Sequence, residues 1–209
     1  IRLGDLRNEK ELFSKLNELL EYHNFILKNY YNCDIFNVDK MYEKLLSQYQ
    51  DYRDYIIDAP SFIESLFKDG KKVIFEGAQG SLLDIDHGTY PFVTSSNTTI
   101  GGIFTGTGIS PKNVDYTLAI VKAYTTRVGS GPFMTELFDK NGKILSEKGH
   151  EFGATTGRER RCGWLDLVAL KRSIEINGFS GICLTKLDVL DSLDKIQVCI
   201  EYKNDTPVY

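Results

Sequence analysis

Long apolar runs and an excess of positive charge are both missing from this sequence. No stretch approaches the roughly 20 consecutive apolar residues that span a bilayer, and no signal peptide is visible. The 25 Lys and Arg residues are outnumbered by 29 Asp and Glu residues, which gives a formal net charge of −4. A protein that neutralises many phosphates concentrates Lys and Arg on one face. We therefore expect a cytoplasmic protein with no membrane or nucleic-acid partner.

Cysteine is also scarce, and the four cysteines form no C-x-x-C motif. Cys183 and Cys199 lie in apolar, strand-like runs. Paired spacings are typical of zinc sites and redox motifs, and dense cysteines are typical of small secreted domains. The pattern therefore favours reduced thiols over a disulfide framework or a zinc site.

The first 70 residues predict a helical subdomain. Asn8 followed by Glu11 has the form of a capping box, and apolar residues then recur at helical spacing. The predicted helices run from about 8 to 30, 38 to 56 and 62 to 68. The chain begins at Ile1, and its opening IRLGDL is typical of the middle of a longer sequence. We therefore expect a fragment.

From residue 71 to 209 the pattern predicts an α/β region that is part of one larger catalytic domain. Strands separated by helices and glycine-rich loops indicate a mainly parallel sheet with flanking helices. Function is then expected at the loops that leave the strand ends. Strand-like runs that end in glycines lie in 72–88 and 117–132, further strands are predicted in 180–191 (a short buried strand) and 196–203 (an edge strand), and a helix covers 164–177 and stops at Gly178.

Two small-residue loops are candidate ligand sites. In FEGAQG, glycines let a ligand approach the backbone, and Gln79 offers an amide that can donate and accept, which suits a purine edge. An ordinary glycine turn explains that loop equally simply. The run TSSNTT, which begins at Thr94, is rich in hydroxyls and unobstructed backbone N–H groups that can hold a phosphate. A solvent-facing polar loop remains the alternative.

The TKLD segment predicts guanine recognition. Lys186 and Asp188 are two residues apart, so in an extended segment their side chains lie on the same side. The aspartate can accept from N1–H and N2–H₂ of guanine, and the lysine stem can lie across the base. A surface ion pair at a strand end is the alternative.

The stretch GATTGRERRCGW gathers arginines in a chain of negative net charge. Thr155 and Thr156 hydroxyls beside the guanidinium groups of Arg158 and Arg160 suit a carboxylate or phosphate ligand. We expect Arg161 to start the next helix, with Trp164 and Leu165 turned inward. The alternative is a solvated run of charges.

Four long motifs make the chain recognisable, in the order FEGAQGSLLDIDHGTYPFVTSSNTT, KAYTTRVGSGPFMTEL, EFGATTGRERRCGWLDLVALKRS and LTKLDVLD. Together they closely resemble the adenylosuccinate synthetase family, over 1–202 and most strongly over 73–190. The resemblance implies a dimeric, Mg²⁺-dependent ligase of AMP biosynthesis. GTP phosphorylates the 6-oxygen of IMP, and the amine of L-aspartate then displaces that phosphate.

The resemblance also implies roles for individual residues. Gln79 matches the glutamine that holds the hypoxanthine ring and its 6-phosphoryl group, and with Arg158 it is assigned to catalysis. Thr94 matches the threonine at the IMP 5′-phosphate, and Val128 matches the residue whose backbone meets the ribose. Arg158 bridges toward IMP.

The same comparison implies residues for the other two substrates. The loop expected to close over aspartate comprises Ala154, Thr155, Thr156, Gly157, Arg158 and Arg160. Arg160 also reaches the GTP side, and the residues expected at GTP are Arg160, Lys186, Leu187 and Asp188. No metal ligand is implied within this chain, since the Mg²⁺ ligands are expected in the family's N-terminal region.

Several family features have no counterpart in these 209 residues. They are the GDEGKGK phosphate loop, the catalytic aspartate and histidine, and the C-terminal segment that completes the guanine pocket. His87 lies in a different motif and is expected to be structural, and Glu159 is expected to point away from the ligands. The chain alone is therefore expected to be inactive. A catalytically silent nucleotide-binding or dimerisation module stays open as the alternative, whereas a P-loop GTPase piece is disfavoured by the TTGR loop.

Overall fold

The computed structural model describes residues 1–153 and 157–209. The chain divides into two compact units, Ile1–Phe62 and Ile63–Tyr209. Of the helices in the described part of the chain, none is both long and apolar enough to cross a membrane. The helices are α1 (Glu9–Asn29), α2 (Val38–Tyr52), α3 (Ala59–Lys68), α4 (Gly101–Thr107), α5 (Lys140–Lys148) and α6 (Leu167–Asn177).

The first unit is built on the α1 and α2 helices that the sequence predicts. The Asn8 side chain accepts a hydrogen bond from the Glu11 N–H at 3.3 Å and so caps α1. Leu12 and Leu16 are buried one turn apart on α1 and pack against α2. The Asn8 cap and the 3.6-residue period therefore predict these two helices correctly, except that α2 ends at Tyr52 and not at 56.

The second unit carries all the strands of the described residues. They are β1 (Leu118–Lys122), β2 (Thr125–Arg127), β3 (Arg161–Gly163), β4 (Leu165–Asp166), β5 (Gly181–Thr185), β6 (Val198–Cys199), β7 (Glu201–Lys203) and β8 (Thr206–Val208). β1 pairs with β5 and β4 with β6, both in parallel. β2 pairs with β3 and β7 with β8, both antiparallel. The expected α/β class is confirmed.

One core cluster fixes the surroundings of the candidate site. Tyr124, Leu145 and Cys162 are almost fully buried in it, and Val189 and Leu190 are buried in the same cluster. These residues come from the segment after β1, from α5, from β3 and from the short 3₁₀ helix Leu187–Leu190. The segments that carry Arg160 and Lys186 therefore adjoin one packed cluster.

Two strand predictions are wrong in part. The run 72–88 forms no strand, and Ile74 is 91% exposed. A strand needs a neighbouring strand for its N–H and C=O groups, and no strand among the described residues pairs with this run. β5 forms as predicted but is not buried, since Ile182 and Leu184 are 47% and 43% exposed.

Arg161 does not start a helix. It opens β3, where it pairs with Arg127 of β2, and α6 begins only at Leu167. The helix begins there because the Asp166 carboxylate accepts the Ala169 N–H at 3.0 Å and supplies the N-cap. Trp164 is buried as expected, whereas Leu165 is half-buried. Gly178 ends α6 in the left-handed conformation, as predicted.

Candidate functional site

A buried carboxylate lies at the centre of the site. Glu151 follows the end of α5, in the sequence GHEFG, and its side chain is fully buried. Its Oε1 accepts from the Tyr124 hydroxyl at 2.7 Å and from the Lys186 ammonium at 3.1 Å. Its Oε2 accepts from Arg160 Nη1 at 2.8 Å, and Lys122 Nζ lies 3.1 Å from both oxygens. These five residues form what we call the Glu151 cluster.

The cluster holds Glu151 in its ionised form. Burial raises the pKa of this carboxyl, but hydrogen bonds from Tyr124, Arg160 and Lys122 outweigh burial and lower it to about 2. Burial raises the pKa of Tyr124, and its bond to Glu151 adds to the rise. Burial lowers the pKa of Lys122. One anion therefore faces three basic side chains, which leaves the cluster positive.

Strand pairing explains why these side chains meet. Lys122 ends β1 opposite Thr185, which ends the parallel strand β5, and Lys186 follows directly. The Ala123 N–H continues the ladder by donating to the Thr185 carbonyl at 2.9 Å. The two lysines therefore leave neighbouring parallel strands at their carboxyl ends, where α/β proteins bind ligands.

Backbone hydrogen bonds hold the described residues of loop 153–160, which we call the arginine loop. The Gly153 N–H donates to the Arg158 carbonyl, and the Gly157 N–H donates to the Gly153 carbonyl, both at 2.8 Å. Phe152 and Glu159 form an antiparallel bridge. Gly157 is left-handed, with φ at 64°. The predicted aspartate-loop residues Ala154, Thr155 and Thr156 lie outside the described residues.

The three arginines have different surroundings. Arg160 belongs to the Glu151 cluster, and its side chain is 34% exposed. Arg158 lies near the loop after β2, with its Nη1 3.9 Å from where a Cβ on Gly129 would stand. Glu159 turns toward α5, where its carboxylate accepts from the Ser146 hydroxyl at 3.0 Å.

The Arg161 guanidinium binds the loop that follows Val128. Its Nε donates to Glu136 Oε1 at 2.7 Å, and its Nη2 contacts the other oxygen of Glu136. Its Nη1 donates to the carbonyls of Gly129 and Gly131 at 3.1 and 3.0 Å. Such a fork binds a planar carboxylate at two points. Arg161 therefore fixes the backbone next to Val128.

A second buried carboxylate organises the loop that contains Thr94. Asp84 Oδ1 accepts the N–H groups of Asp86 and His87, and Oδ2 accepts those of Thr98 and Thr99. Burial raises the Asp84 pKa, but these four backbone bonds lower it to about 2. His87 contributes its backbone N–H to this arrangement.

The same loop system joins the two predicted IMP segments. The Thr94 N–H donates to the Leu83 carbonyl at 2.8 Å, and the Thr98 hydroxyl donates to the Gly80 carbonyl at 2.7 Å. Gln79 lies next to Gly80, is exposed, and has φ at 62°. A left-handed conformation is uncommon for a residue with a side chain and is often found at ligand sites.

The guanine-recognition segment is not extended, so the geometry predicted for it is wrong. Lys186 is left-handed, with φ at 57°, and Leu187 begins a 3₁₀ helix that ends at Leu190. The left-handed residue turns the chain, and the Lys186 ammonium contacts the Gly149 carbonyl as well as Glu151. Asp188 is exposed and lines an open cleft of about 520 Å³. The other lining residues are Glu147, Lys148, His150 and Val189.

Glu151, Lys122, Tyr124 and Asp84 were not predicted from the sequence. Glu151 carries one weak signal, which is an acidic residue in a short glycine-bounded segment. Among the described residues no buried side-chain nitrogen or oxygen lacks a hydrogen-bond partner. The same residues contain no group of three His, Cys, Asp or Glu side chains that could hold a metal ion.

Known proteins resemble this chain along almost its whole length. The sequence model of the adenylosuccinate synthetase family matches residues 1–208. The adenylosuccinate synthetase of Alcanivorax borkumensis is 56% identical over 98% of this chain and 47% of its own length. That of Pseudomonas syringae pv. tomato is 57% identical over 98% of this chain and 48% of its own length. The chain therefore spans about half the length of these curated relatives.

A solved structure extends the likeness to the backbone. The fully ligated adenylosuccinate synthetase from Plasmodium falciparum superposes with a TM-score of 0.87 and 42% identity, over 100% of this chain and 49% of the other. The family model covers almost the whole chain, and the solved structure shares both its backbone and 42% of its sequence. This chain belongs to the adenylosuccinate synthetase family.

Proposed function

We propose that the natural gene product containing this sequence, called the full-length protein below, joins IMP and L-aspartate to form adenylosuccinate. GTP supplies the phosphoryl group, and GDP and phosphate are released. The Glu151 cluster is the observation that carries the proposal. It places basic side chains from the arginine loop and from the TKLD segment on one support at the carboxyl ends of β1 and β5.

The proposed reaction has two balanced steps. The 6-oxygen of IMP attacks the γ-phosphorus of GTP while N1 of the purine releases its proton, so that an O–P bond forms, the bond to GDP breaks and 6-phosphoryl-IMP results. The aspartate amine then attacks C6 of the purine, the C–O bond breaks with its electron pair leaving on phosphate, and the amine loses a proton. Both steps gather negative charge, which positioned donors must neutralise.

Residues of the Asp84-centred loop system are assigned to IMP. Gln79 lies on a loop free of large neighbours on its glycine side, and its amide can meet both the purine and the 6-phosphoryl group. Thr94 would meet the 5′-phosphate, and the backbone of Val128 would meet the ribose. Arg158 completes this group because its guanidinium lies beside Gly129, the residue after Val128.

The arginine loop is assigned to aspartate. Guanidinium groups hold carboxylates through paired donors, so Arg158 and Arg160 suit the two carboxylates of this substrate. Thr155 and Thr156, with Ala154 and Gly157, complete the proposed aspartate contacts. Arg160 and Lys186 come together on Glu151, which supports assigning Arg160 to the GTP side as well.

The open cleft at Asp188 is assigned to the guanine base. The Asp188 carboxylate can accept from N1–H and N2–H₂ of guanine, and the neighbouring Leu187 and the stem of Lys186 are proposed to add apolar contact. Mg²⁺ is part of the proposal, but no residue of this chain is proposed as its ligand and no step is assigned to that ion. A homodimer in the cytoplasm is part of the proposal.

The test is direct. The purified full-length protein is incubated with GTP, IMP, aspartate and Mg²⁺, and adenylosuccinate and GDP are measured by chromatography. Equal yields of both products are expected, with none when IMP or aspartate is omitted. Nucleotide binding without adenylosuccinate would refute the proposal and favour a silent binding module.

A further inference from the structure

Glu151 has no part in the proposed chemistry, yet it contacts two residues that do. Its carboxylate is fully buried, whereas Arg160 and Lys186 are 34% and 38% exposed on their side chains. The anion therefore lies inside and the cations extend outward from it. An arrangement of this kind presents positive charge toward solvent at fixed positions.

The contacts also exclude Glu151 as an acid or a base. A carboxylate has about four lone-pair sites. Oε1 already accepts from Tyr124, Lys122 and Lys186, and Oε2 accepts from Lys122 and Arg160. No position remains for a substrate proton, so any role of Glu151 acts through its partners.

The two carboxylate oxygens of Glu151 contact residues that are proposed to bind different substrates. Oε2 holds Arg160, which is proposed to contact aspartate and the GTP side, and Oε1 holds Lys186, which is proposed at the guanine base. The Arg160 backbone N–H also donates to the Glu151 carbonyl at 2.9 Å. A movement of this one carboxylate would therefore displace a proposed contact of aspartate and one of GTP.

We propose that Glu151 is a positioning residue that sets Arg160 and Lys186 together, so that the aspartate and GTP sites of the full-length protein are built on one buried carboxylate. The inference rests on the proposed function. Gln79 and Thr94, two of the residues proposed to contact IMP, lie instead in the separate loop system around Asp84. The consequence is a selective defect, in which aspartate and GTP suffer together and IMP does not.

Glu151→Gln in the full-length protein tests this inference. The amide keeps the shape but loses the charge and presents donors to cations. Because displacement of a binding group by about 1 Å costs up to about 100-fold, we expect the KM values for aspartate and GTP each to rise about tenfold or more. The KM for IMP should change less than about twofold. Glu151→Asp keeps the charge but draws it back by one methylene, and should give the same pattern with smaller increases.

Two further variants separate positioning from general stability. Tyr202→Phe removes another half-buried hydrogen bond, to Asp166, and should lower the melting temperature without moving any KM. In a double-mutant cycle, Glu151→Gln and Arg160→Lys should be less than additive on the aspartate KM, because both loosen one contact.

The outcomes are distinct. Equal changes in all three KM values, or a lower melting temperature with unchanged KM values in both Glu151 variants, would overturn the inference and leave the proposed function standing. Should Glu151→Gln fail to fold, the Glu151→Asp pattern decides the matter. A wild-type protein that forms no adenylosuccinate would refute the proposed function, and the inference with it.

Discussion

Arg160 and Glu151 are joined twice. The Arg160 backbone N–H donates to the Glu151 carbonyl at 2.9 Å, and Nη1 of the same residue donates to the Glu151 carboxylate at 2.8 Å. The first bond fixes the chain and the second fixes the guanidinium. An arginine held in this way loses little further freedom when it binds an anion, which is how preorganisation improves affinity.

The first prediction concerns Arg158 and Arg160 in the full-length protein. Replacing either residue with Lys keeps the positive charge but removes the planar guanidinium. The loss of substrate affinity should therefore be nearly as severe as with Ala. We expect the aspartate KM to rise about tenfold or more for each lysine variant. Thr156→Ala should chiefly raise the KM for aspartate. Steady-state kinetics with each substrate varied in turn measure these effects.

Arg172→Lys is the matched control for the arginine variants. Arg172 lies exposed on α6 and forms only a distant ion pair with Glu175, at 3.9 Å. Surface pairs of this kind contribute little, so all constants should stay at wild-type values. Near-normal aspartate and GTP constants for the lysine variants at 158 and 160 would contradict the ligand role.

The second prediction is that Arg161 is structural. Arg161→Lys loses the two-point contact with Glu136 and the bonds to Gly129 and Gly131. Breaking such a pair should cost on the order of 2–3 kcal/mol of unfolding free energy. Chemical denaturation of the full-length protein measures the loss. An unchanged denaturation midpoint, together with a raised aspartate KM, would place Arg161 among the ligand residues instead.

Local signals in the sequence were sufficient for some elements. The Asn8 cap and the spacing of Leu12 and Leu16 lie within one helix, so they predict α1 without tertiary information. The Arg161 strand was missed because its cause is pairing with β2 and Glu136, both distant in sequence.

The site was predictable only in part for the same reason. Long motifs identify Lys186 and the arginine loop, but Glu151 meets Lys122 and Lys186 across 29 and 35 residues of sequence. Nothing in GHEFG specifies those partners. The left-handed turn at Lys186 was also unexpected, since the residue carries a side chain and follows a strand. The functions of Gln79, Thr94 and Asp188 remain predictions.

The third prediction concerns the choice of base. Asp188→Asn in the full-length protein turns one acceptor into a donor opposite N1–H and N2–H₂ of guanine. Losing this charge-assisted pair should cost on the order of 2–3 kcal/mol of GTP affinity. The KM for IMP should move far less. Equal shifts in the GTP and IMP constants would show that Asp188 does not contact the base.

The fourth prediction concerns the 209-residue chain by itself. It contains no GDEGKGK segment, the phosphate loop that the resemblance to the family leads us to expect for phosphoryl transfer. We expect the purified chain to make no adenylosuccinate from GTP, IMP, aspartate and Mg²⁺. The full-length protein assayed in parallel is the positive control. Turnover above background by the chain alone would place the phosphoryl-transfer groups within it.

The fifth prediction is an acid dependence of stability that passes through Glu151. Its pKa falls from the ordinary 4.5 to about 2 in the folded protein. A group with a lowered pKa stabilises the fold fully above its unfolded value and loses that contribution as the pH falls toward the folded value. The melting temperature of wild type should therefore exceed that of Glu151→Gln most at neutral pH, and the difference should shrink between about pH 5 and about pH 3.

Asp84, whose pKa is also lowered to about 2, loses its contribution in the same range, but it does so in both proteins and cancels from the difference. Glu175→Gln, at the exposed pair with Arg172, is the control and should differ from wild type by a small amount at every pH. A Glu151→Gln difference that stays constant from about pH 6 to about pH 3 would mean that its effect comes from lost packing and not from the buried negative charge.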